Sequence, residues 1–310
     1  MKIVTFTPNP AIDCFIKVNS FEQNEISNSI CDYISAGGKG INVSKILCHL
    51  NIQNTALFTQ GGNDGRLLHE LLRKDSVPFS CFDIKNETRR NYVIENSDGL
   101  RWKINGKAPT LPDQSHYQDL ADWVLLHCRK DDILYIGGSL IEALGESFYT
   151  YISEKALSKL VKLAFDVSEK YIKTVMEIPF SFLKANLNEF SGLSGKRFET
   201  LEEAADLLVA LQLSEKAEII VSAGKQGGIL FAQSKKIRAV SSKIFDKLCV
   251  GCGDSLFAGY LAMRTKGKGL EDSFKFATAL ALSCANSPIY SLAEPESAMD
   301  FLKYITVNSF

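Results

Sequence analysis

The chain has 310 residues, 45% of them apolar, which is enough to fill one large α/β domain or two smaller ones and too many for a disordered chain. Its 35 Lys and Arg residues offset 36 Asp and Glu residues to leave a net charge of −1, so there is no basic excess to draw nucleic acid or an anionic membrane. The opening apolar run is too short for a signal peptide and no segment reaches the roughly 18 apolar residues of a membrane span, so a cytoplasmic protein acting on small molecules is expected.

The eight cysteines, at 14, 31, 48, 81, 128, 249, 252 and 284, are scattered and fit reduced thiols better than a disulfide framework. The four histidines, His49, His69, His116 and His127, show no metal-ligand spacing.

In chain order, K-I-V-T-F-T (2–7) reads as a buried strand and I-D-C-F-I-K-V (12–18) as an alternating one. A-G-G-K-G-I-N-V-S (36–44) sets three glycines and Lys39 ahead of a helix whose apolar face includes Ile41, Val43, Ile46 and Leu47. Flexible glycines let backbone amides approach an anion and the lysine adds a point charge, although such a loop is equally well a tight turn. It is not a P-loop, since Gly40 follows Lys39 where Ser or Thr is required, and no G-x-G-x-x-G dinucleotide fingerprint occurs. T-A-L-F-T (55–59) is the next buried strand, and residues 90–105 alternate around a hairpin turn at Ser97-Asp98-Gly99.

Beyond it, D-I-L-Y-I-G (132–137), K-L-A-F-D (162–166), F-L-K-A-N (182–186) and E-I-I-V-S (218–222) read as buried strands separated by amphipathic segments. Thr200 and Glu203 form a capping-box pattern at the head of a helix over about 200–214. C-V-G-C-G-D-S-L (249–256) carries two readings: a C-x-x-C thiol pair, Cys249 and Cys252, or a glycine turn that aims helix N–H groups at an anion beside Asp254. An Ala/Thr/Ser-rich helix over 277–287 follows. The rhythm predicts an α/β fold with a doubly wound, mainly parallel sheet flanked by helices. One domain over 1–310 is expected, with a small antiparallel β lid drawn from about 12–18, 30–35 and 90–105. Val93, Trp102 and Ile104 beside Ile12 and Ile16 are expected to form an apolar lid face through which two subunits pair.

The ordered series N-P-A-I-D (9–13), A-G-G-K-G-I-N-V-S (36–44), T-R-R-N (88–91), K-A-N-L-N-E (184–189), S-A-G-K-Q-G-G (222–228) and V-G-C-G-D-S (250–255) resembles the PfkB branch of the ribokinase-like sugar kinases. T-x-N-P-A-I-D and T-R-x-N are similar to the 1-phosphofructokinase and tagatose-6-phosphate kinase group. The resemblance implies an ATP- and Mg²⁺-dependent kinase that turns fructose 1-phosphate or tagatose 6-phosphate into a ketohexose bisphosphate.

It implies further that Asp254 takes the proton of the attacking hydroxyl while the N–H groups of Gly251, Cys252 and Gly253 stabilise the transferred phosphoryl group. Asp13, Gly38 and Asn42 would hold sugar hydroxyls, Lys39 and Arg89 the phosphate already on the acceptor, and Ser139 would line the same cleft. Lys184, Asn186, Ser222, Gly224 and Gly227 would meet the nucleotide, the 277–287 helix would pack near adenine, and Glu189 would hold Mg²⁺ through water. Arg90 would face away from the site as half of a charged pair. Ala185, Ile141, K-A-P (107–109) and Cys252 depart from the family pattern without removing a group the chemistry needs, but these departures bear on which sugar fits, because the lid and the G-S-L loop shape the sugar pocket. The alternatives are a nucleotide-binding regulatory protein without turnover, a kinase for another sugar phosphate such as fructose 6-phosphate, and a thiol oxidoreductase using Cys249 and Cys252.

Overall fold

Neighbouring residues of a strand point to opposite faces, so a run such as I-V-T-F-T needs apolar cover on both sides. The computed structural model supplies it, describing residues 1–310 apart from 22, 23, 25, 111–115, 194, 212–216, 246–249, 289, 290 and 310.

The chain runs from β1 (Ile3–Thr7) through β2 (Ala11–Val18), β3 (Ser29–Gly37), α1 (Lys39–His49) and β4 (Asn54–Gln60). Then come α2 (Gly62–Lys74), β5 (Phe79–Asp83), β6 (Arg89–Glu95), β7 (Arg101–Asn105) and α3 (His116–Leu126). The strand–helix alternation continues with β8 (Ile133–Gly138), α4 (Gly145–Ser158), β9 (Lys162–Val167), α5 (Glu169–Met176), β10 (Phe182–Asn186), α6 (Leu187–Ser191), α7 (Leu201–Ala210) and β11 (Glu218–Ser222). It closes with β12 (Gly228–Ala232), β13 (Lys235–Ser241), α8 (Cys252–Thr265), α9 (Leu270–Asn286), α10 (Pro295–Phe301) and β14 (Ile305–Ser309).

Among the described residues the main sheet has ten strands in the order β14-β13-β12-β11-β10-β9-β8-β1-β4-β5. From β5 across to β11 every pairing is parallel, and β12, β13 and β14 add an antiparallel edge. The two faces divide the core as the strand period requires. Phe6, Leu134, Ile136, Val221 and Phe231 pack with Leu120, Phe148, Tyr171, Phe190 and Leu201 from α3 to α7. Ile3, Tyr135, Ile220 and Leu230 pack with Ile46, Phe257, Phe274 and Phe301 from α1, α8, α9 and α10. Among the described residues no helix is long and apolar enough to cross a membrane.

The second sheet has the order β3-β2-β6-β7. It is antiparallel except where β2 pairs with β6. Its register corrects one expectation. Ile16 stands opposite Ile94 and Ile94 opposite Trp102, while Phe15 stands opposite Val93. Val93 therefore lies on the reverse face and is buried there, because a single-residue step in a strand changes face. The face shared by Ile12, Cys14 and Tyr92 packs on α2 through Leu68 and Leu72 at one end. At the other it leaves Ile30, Ile34 and Ile104 exposed.

Candidate active site

Strand order reverses at β1: β4 and β5 lie to one side, β8 and β9 to the other. In an open α/β sheet the crevice beyond the carboxyl ends of the strands at such a switch point is the place for a ligand. The loops after β1 and β8 bring Asn9 and Ser139 together there, the Asn9 amide donating to Ser139 Oγ at 3.1 Å. Arg89, at the start of lid strand β6, donates from Nη2 to the Asn9 carbonyl at 3.1 Å. Among the described residues its buried Nε has no hydrogen-bond partner, and neither has the buried Asn9 Oδ1. Burial lowers the Arg89 pKa, partly offset by Asp13. An orphaned guanidinium N–H in a cleft is a donor waiting for an anion.

Asp13 lies on β2 over the same cleft. Burial raises its pKa, against the hydrogen bond from Asn91 Nδ2 to Oδ1 at 2.8 Å. Gly37 is small because a Cβ there would collide with the Asp13 carboxylate. Gly38 has φ 121° and caps α1, and a Cβ on it would come within 2.5 Å of Thr7 Cγ2. Asn42, one turn into α1, donates from Nδ2 to Asp254 Oδ2 at 2.7 Å and so ties the acceptor loop to the second glycine turn.

In that second turn Gly251 is left-handed at φ 87° and caps α8, with Asp254 in the helix's first turn. The first N–H groups of a helix lack intrahelical acceptors, so the turn presents donors beside a carboxylate. Asp254 is 7% exposed. Burial, and then repulsion from Asp166, push its pKa to about 6 against the pull of Lys39 and Asn42. Cys252 is disulfide-bonded, whereas Cys14, Cys31, Cys48, Cys81, Cys128 and Cys284 are free. Reduced thiols throughout were the expectation, and Cys252 corrects it; C-x-x-C is a spacing at which thiols readily cycle to disulfides. Cys249 lies outside the described residues.

Between the two glycine turns sits a cluster of opposite charges. Asp166, at the end of β9, is fully buried. Its Oδ1 accepts from Lys39 Nζ at 2.5 Å and its Oδ2 from Lys184 Nζ at 3.2 Å. Burial would raise the Asp166 pKa, but the two ammonium groups hold it below the ordinary value. Lys39 also donates to Glu189 Oε1 at 3.2 Å. Burial would lower Lys39, and Asp166 and Glu189 outweigh it to raise the pKa. Asn186 and Glu189 form a capping box on α6, Asn186 Oδ1 accepting from Glu189 N at 2.9 Å and Glu189 Oε2 from Asn186 N at 2.8 Å. With Oε2 taken by the box, Glu189 turns Oε1 to Lys39 in the cluster. Lys184 Nζ lies so close to the α8 turn that a Cβ at Gly253 would stand 2.9 Å from it.

A cavity of about 440 Å³ opens beside this turn. Ser222, Gly224, Gly227 and Gly253 line it together with Thr278, Ala281, Leu282 and Ala285 of α9. Its size and apolar walls suit a planar base. Gly224 at φ 53° and Gly227 at φ 87° shape the turn between β11 and β12. Among the described residues no three His, Cys, Asp or Glu side chains gather into a metal cage. The nearest acidic pair is Asp166 and Glu189, which share the ammonium groups of Lys39 and Lys184; two carboxylates of this kind are the donor type that a Mg²⁺ would take from a protein.

The acceptor-side candidates Asp13, Gly38, Asn42, Arg89 and Ser139 thus converge beneath the lid, while Lys184, Glu189, Asp254, Ser222, Gly224 and Gly227 lie along the second half of the crevice. Lys39 points into the charge cluster. Arg90 turns away and pairs with Asp64 through Nε at 2.7 Å and Nη2 at 2.6 Å. Sequence reading missed Asp166, Asn91 and Asn9. The signal for Asp166 was the carboxylate ending the strand run K-L-A-F-D.

Residues 9–288 match the model of the pfkB family of carbohydrate kinases. A 1-phosphofructokinase of Borreliella burgdorferi is 31% identical over 284 residues, covering 91% of each chain. A 1-phosphofructokinase of Bacillus subtilis is 29% identical over 273 residues, 88% of this chain and 89% of its own. The fold is similar to that of Escherichia coli phosphofructokinase-2 in complex with fructose-6-phosphate, with TM-score 0.87 at 23% identity over 98% of each chain. It also resembles Arabidopsis thaliana ribokinase complexed with ribose and ATP, with TM-score 0.74 at 20% identity over 98% of this chain and 99% of that one.

Proposed function

The chain belongs to the pfkB family of carbohydrate kinases and is an ATP-dependent sugar-phosphate kinase, and we propose that its acceptor is fructose 1-phosphate, its product the bisphosphate and Asp254 its general base. The observation that carries this reading is the pairing of a buried carboxylate with pKa about 6 at a helix N-terminus and an orphaned buried guanidinium N–H across the same crevice. The similarity to 1-phosphofructokinases favours fructose 1-phosphate over tagatose 6-phosphate.

In this reading Arg89 grips the phosphate already on the sugar through a charge-assisted contact, with Lys39. Asp13, the Gly38 backbone, Asn42 and Ser139 orient the hydroxyls. Asp254 accepts the proton of the attacking hydroxyl as the bond to phosphorus forms. The N–H groups of Gly251, Cys252 and Gly253 meet the developing negative charge, and Lys184 beside Gly253 adds a cation. Ser222, Gly224 and Gly227 border the nucleotide, and Asn186 acts by holding Glu189. Asp166 and Glu189 would hold Mg²⁺, which supplies charge neutralisation on the nucleotide phosphates. The exposed face of Ile30, Ile34 and Ile104 pairs two subunits through their lids. The six free cysteines support a cytoplasmic setting.

The test is ATP consumption with fructose 1-phosphate, tagatose 6-phosphate, fructose 6-phosphate and fructose as acceptors. Fructose 1-phosphate should give the highest kcat/KM and fructose the lowest. Preference for another sugar phosphate would replace the acceptor, and preference for fructose would remove the role of Arg89.

A further inference from the structure

Lys39 is rooted on the acceptor side of the crevice and spends its charge on the other side. It is the first residue of α1, directly after Gly38. The charges facing Asp13 are Lys103, Lys45 and Arg89, whereas those facing Lys39 are Asp166, Glu189 and Asp254. The ammonium stands 2.5 Å from Asp166 and 3.2 Å from Glu189, between the two carboxylates that suit a divalent cation. Asp166 would keep a counter-charge without it, because Lys184 holds the second oxygen at 3.2 Å and stands 4.0 Å from Glu189 Oε2. Lysine suits a change of partner, being a compact charge on a stem with several rotatable bonds.

We propose that Lys39 is an exchangeable cation shared by the Asp166–Glu189 pair and the acceptor phosphate, so that acceptor binding draws Lys39 away and opens the pair to the divalent ion. This rests on the sugar-phosphate kinase reading and adds to it a coupling between two ligands. Two cations cannot share the pair without repulsion, so Lys39 and the metal compete. The acceptor phosphate, already met by Arg89, offers Lys39 a second anion. Acceptor and metal then bind with positive cooperativity, and by linkage each tightens the other by the same factor.

Paramagnetic resonance of Mn²⁺ titrated into the full chain without nucleotide reads this directly. For the wild type, saturating fructose 1-phosphate should tighten Mn²⁺ by about tenfold, within the usual span of such couplings, and fructose should leave it unchanged. For Lys39→Met, Mn²⁺ alone should bind about tenfold tighter than to the wild type, a gain of the same coupling size, and fructose 1-phosphate should no longer alter it. A Lys39→Met variant that binds Mn²⁺ no tighter overturns the exchange whatever the sugar. A gain in Mn²⁺ affinity with no effect of fructose 1-phosphate on the wild type overturns the transfer of Lys39 to that acceptor. Because the Mn²⁺ measurement on Lys39→Met involves no sugar and no turnover, the kinase reading can fail in the acceptor assay while this result stands, and the reverse.

Discussion

Asp254 is a carboxylate held where ionisation is opposed, and the opposition is legible as both stability and rate. Its pKa climbs from 3.8 to about 6 through burial and then the nearby Asp166. Between those values the folded chain keeps a proton that the unfolded chain has released. The stability this group contributes is therefore present below about pH 4 and is lost as pH rises through about 6. Asp254→Asn should then be more stable than the wild type at pH 7 by about 1–3 kcal/mol, the scale of a two-unit shift, with little difference at pH 4. Thermal melts at both values check this, and a variant destabilised at pH 7 would mean the carboxylate is fully compensated. Turnover of the wild type should rise with pH along a limb near 6, as Asp254 loses its proton. Arg89→Ala should cost about 2–4 kcal/mol in kcat/KM for the phosphorylated sugar and little for fructose, the range for losing a charge-assisted contact in a closed site. Equal losses on both would make Arg89 a support for the lid.

At the scale of elements, local chemistry explains what could be read in advance. Thr200 and Glu203 spelled a capping box, and the helix begins there with both reciprocal hydrogen bonds made. The glycine turns at Gly38 and Gly251 were recognisable because each caps a helix at a positive φ that glycine adopts readily. The turn at Gly99, with φ 79°, joins β6 to β7 as its sequence predicted. Three strands went unread. β13 alternates Lys, Arg and Ser with Ile237 and Ala239, and β14 carries Asn and Ser, so both look polar although Ile237, Ala239 and Ile305 are buried in the core. β5 is a short, half-buried edge. Cys252 belongs to this scale, since it lines the cavity at the first turn of α8. After reduction, its thiol at a helix N-terminus should be reactive. An alkylating reagent should inactivate the reduced enzyme, ATP should slow the loss, and Cys252→Ala should be active and resistant. An inactive Cys252→Ala, or a reduced wild type indifferent to the reagent, would separate the thiol from the phosphate cradle.

At the scale of the whole molecule, the site follows from strand order, which sequence patterning alone does not show. Asp166 reads as one more strand-end residue until β9 is placed two strands from β1 and its carboxylate lands between Lys39 and Lys184. Asn9 likewise gains meaning only when the loop after β8 brings Ser139 beside it. The motifs spaced along the chain were readable as short local segments whose order resembles a known family; the charge cluster joining them is a product of long-range register. The lid face differs from its sequence reading at Val93, which a one-residue step puts on the reverse side, and at Ile12, which is buried against α2. Its exposed isoleucines carry the assembly prediction: the wild type should sediment as a dimer at micromolar concentration and Ile104→Glu as a monomer. A monomeric wild type would leave that face to another role. The central claim, that Asp254 takes the hydroxyl proton within an otherwise complete site, is met most directly by a single-turnover experiment with the enzyme in excess over fructose 1-phosphate and Mg²⁺ATP, followed by phosphorus resonance. The wild type should convert the monophosphate to fructose 1,6-bisphosphate with one ADP formed. Asp254→Asn should bind both ligands with wild-type affinity and form the bisphosphate about 10²-fold more slowly or worse, the scale for loss of a general base. Formation of the bisphosphate by Asp254→Asn at a rate near that of the wild type would contradict the account.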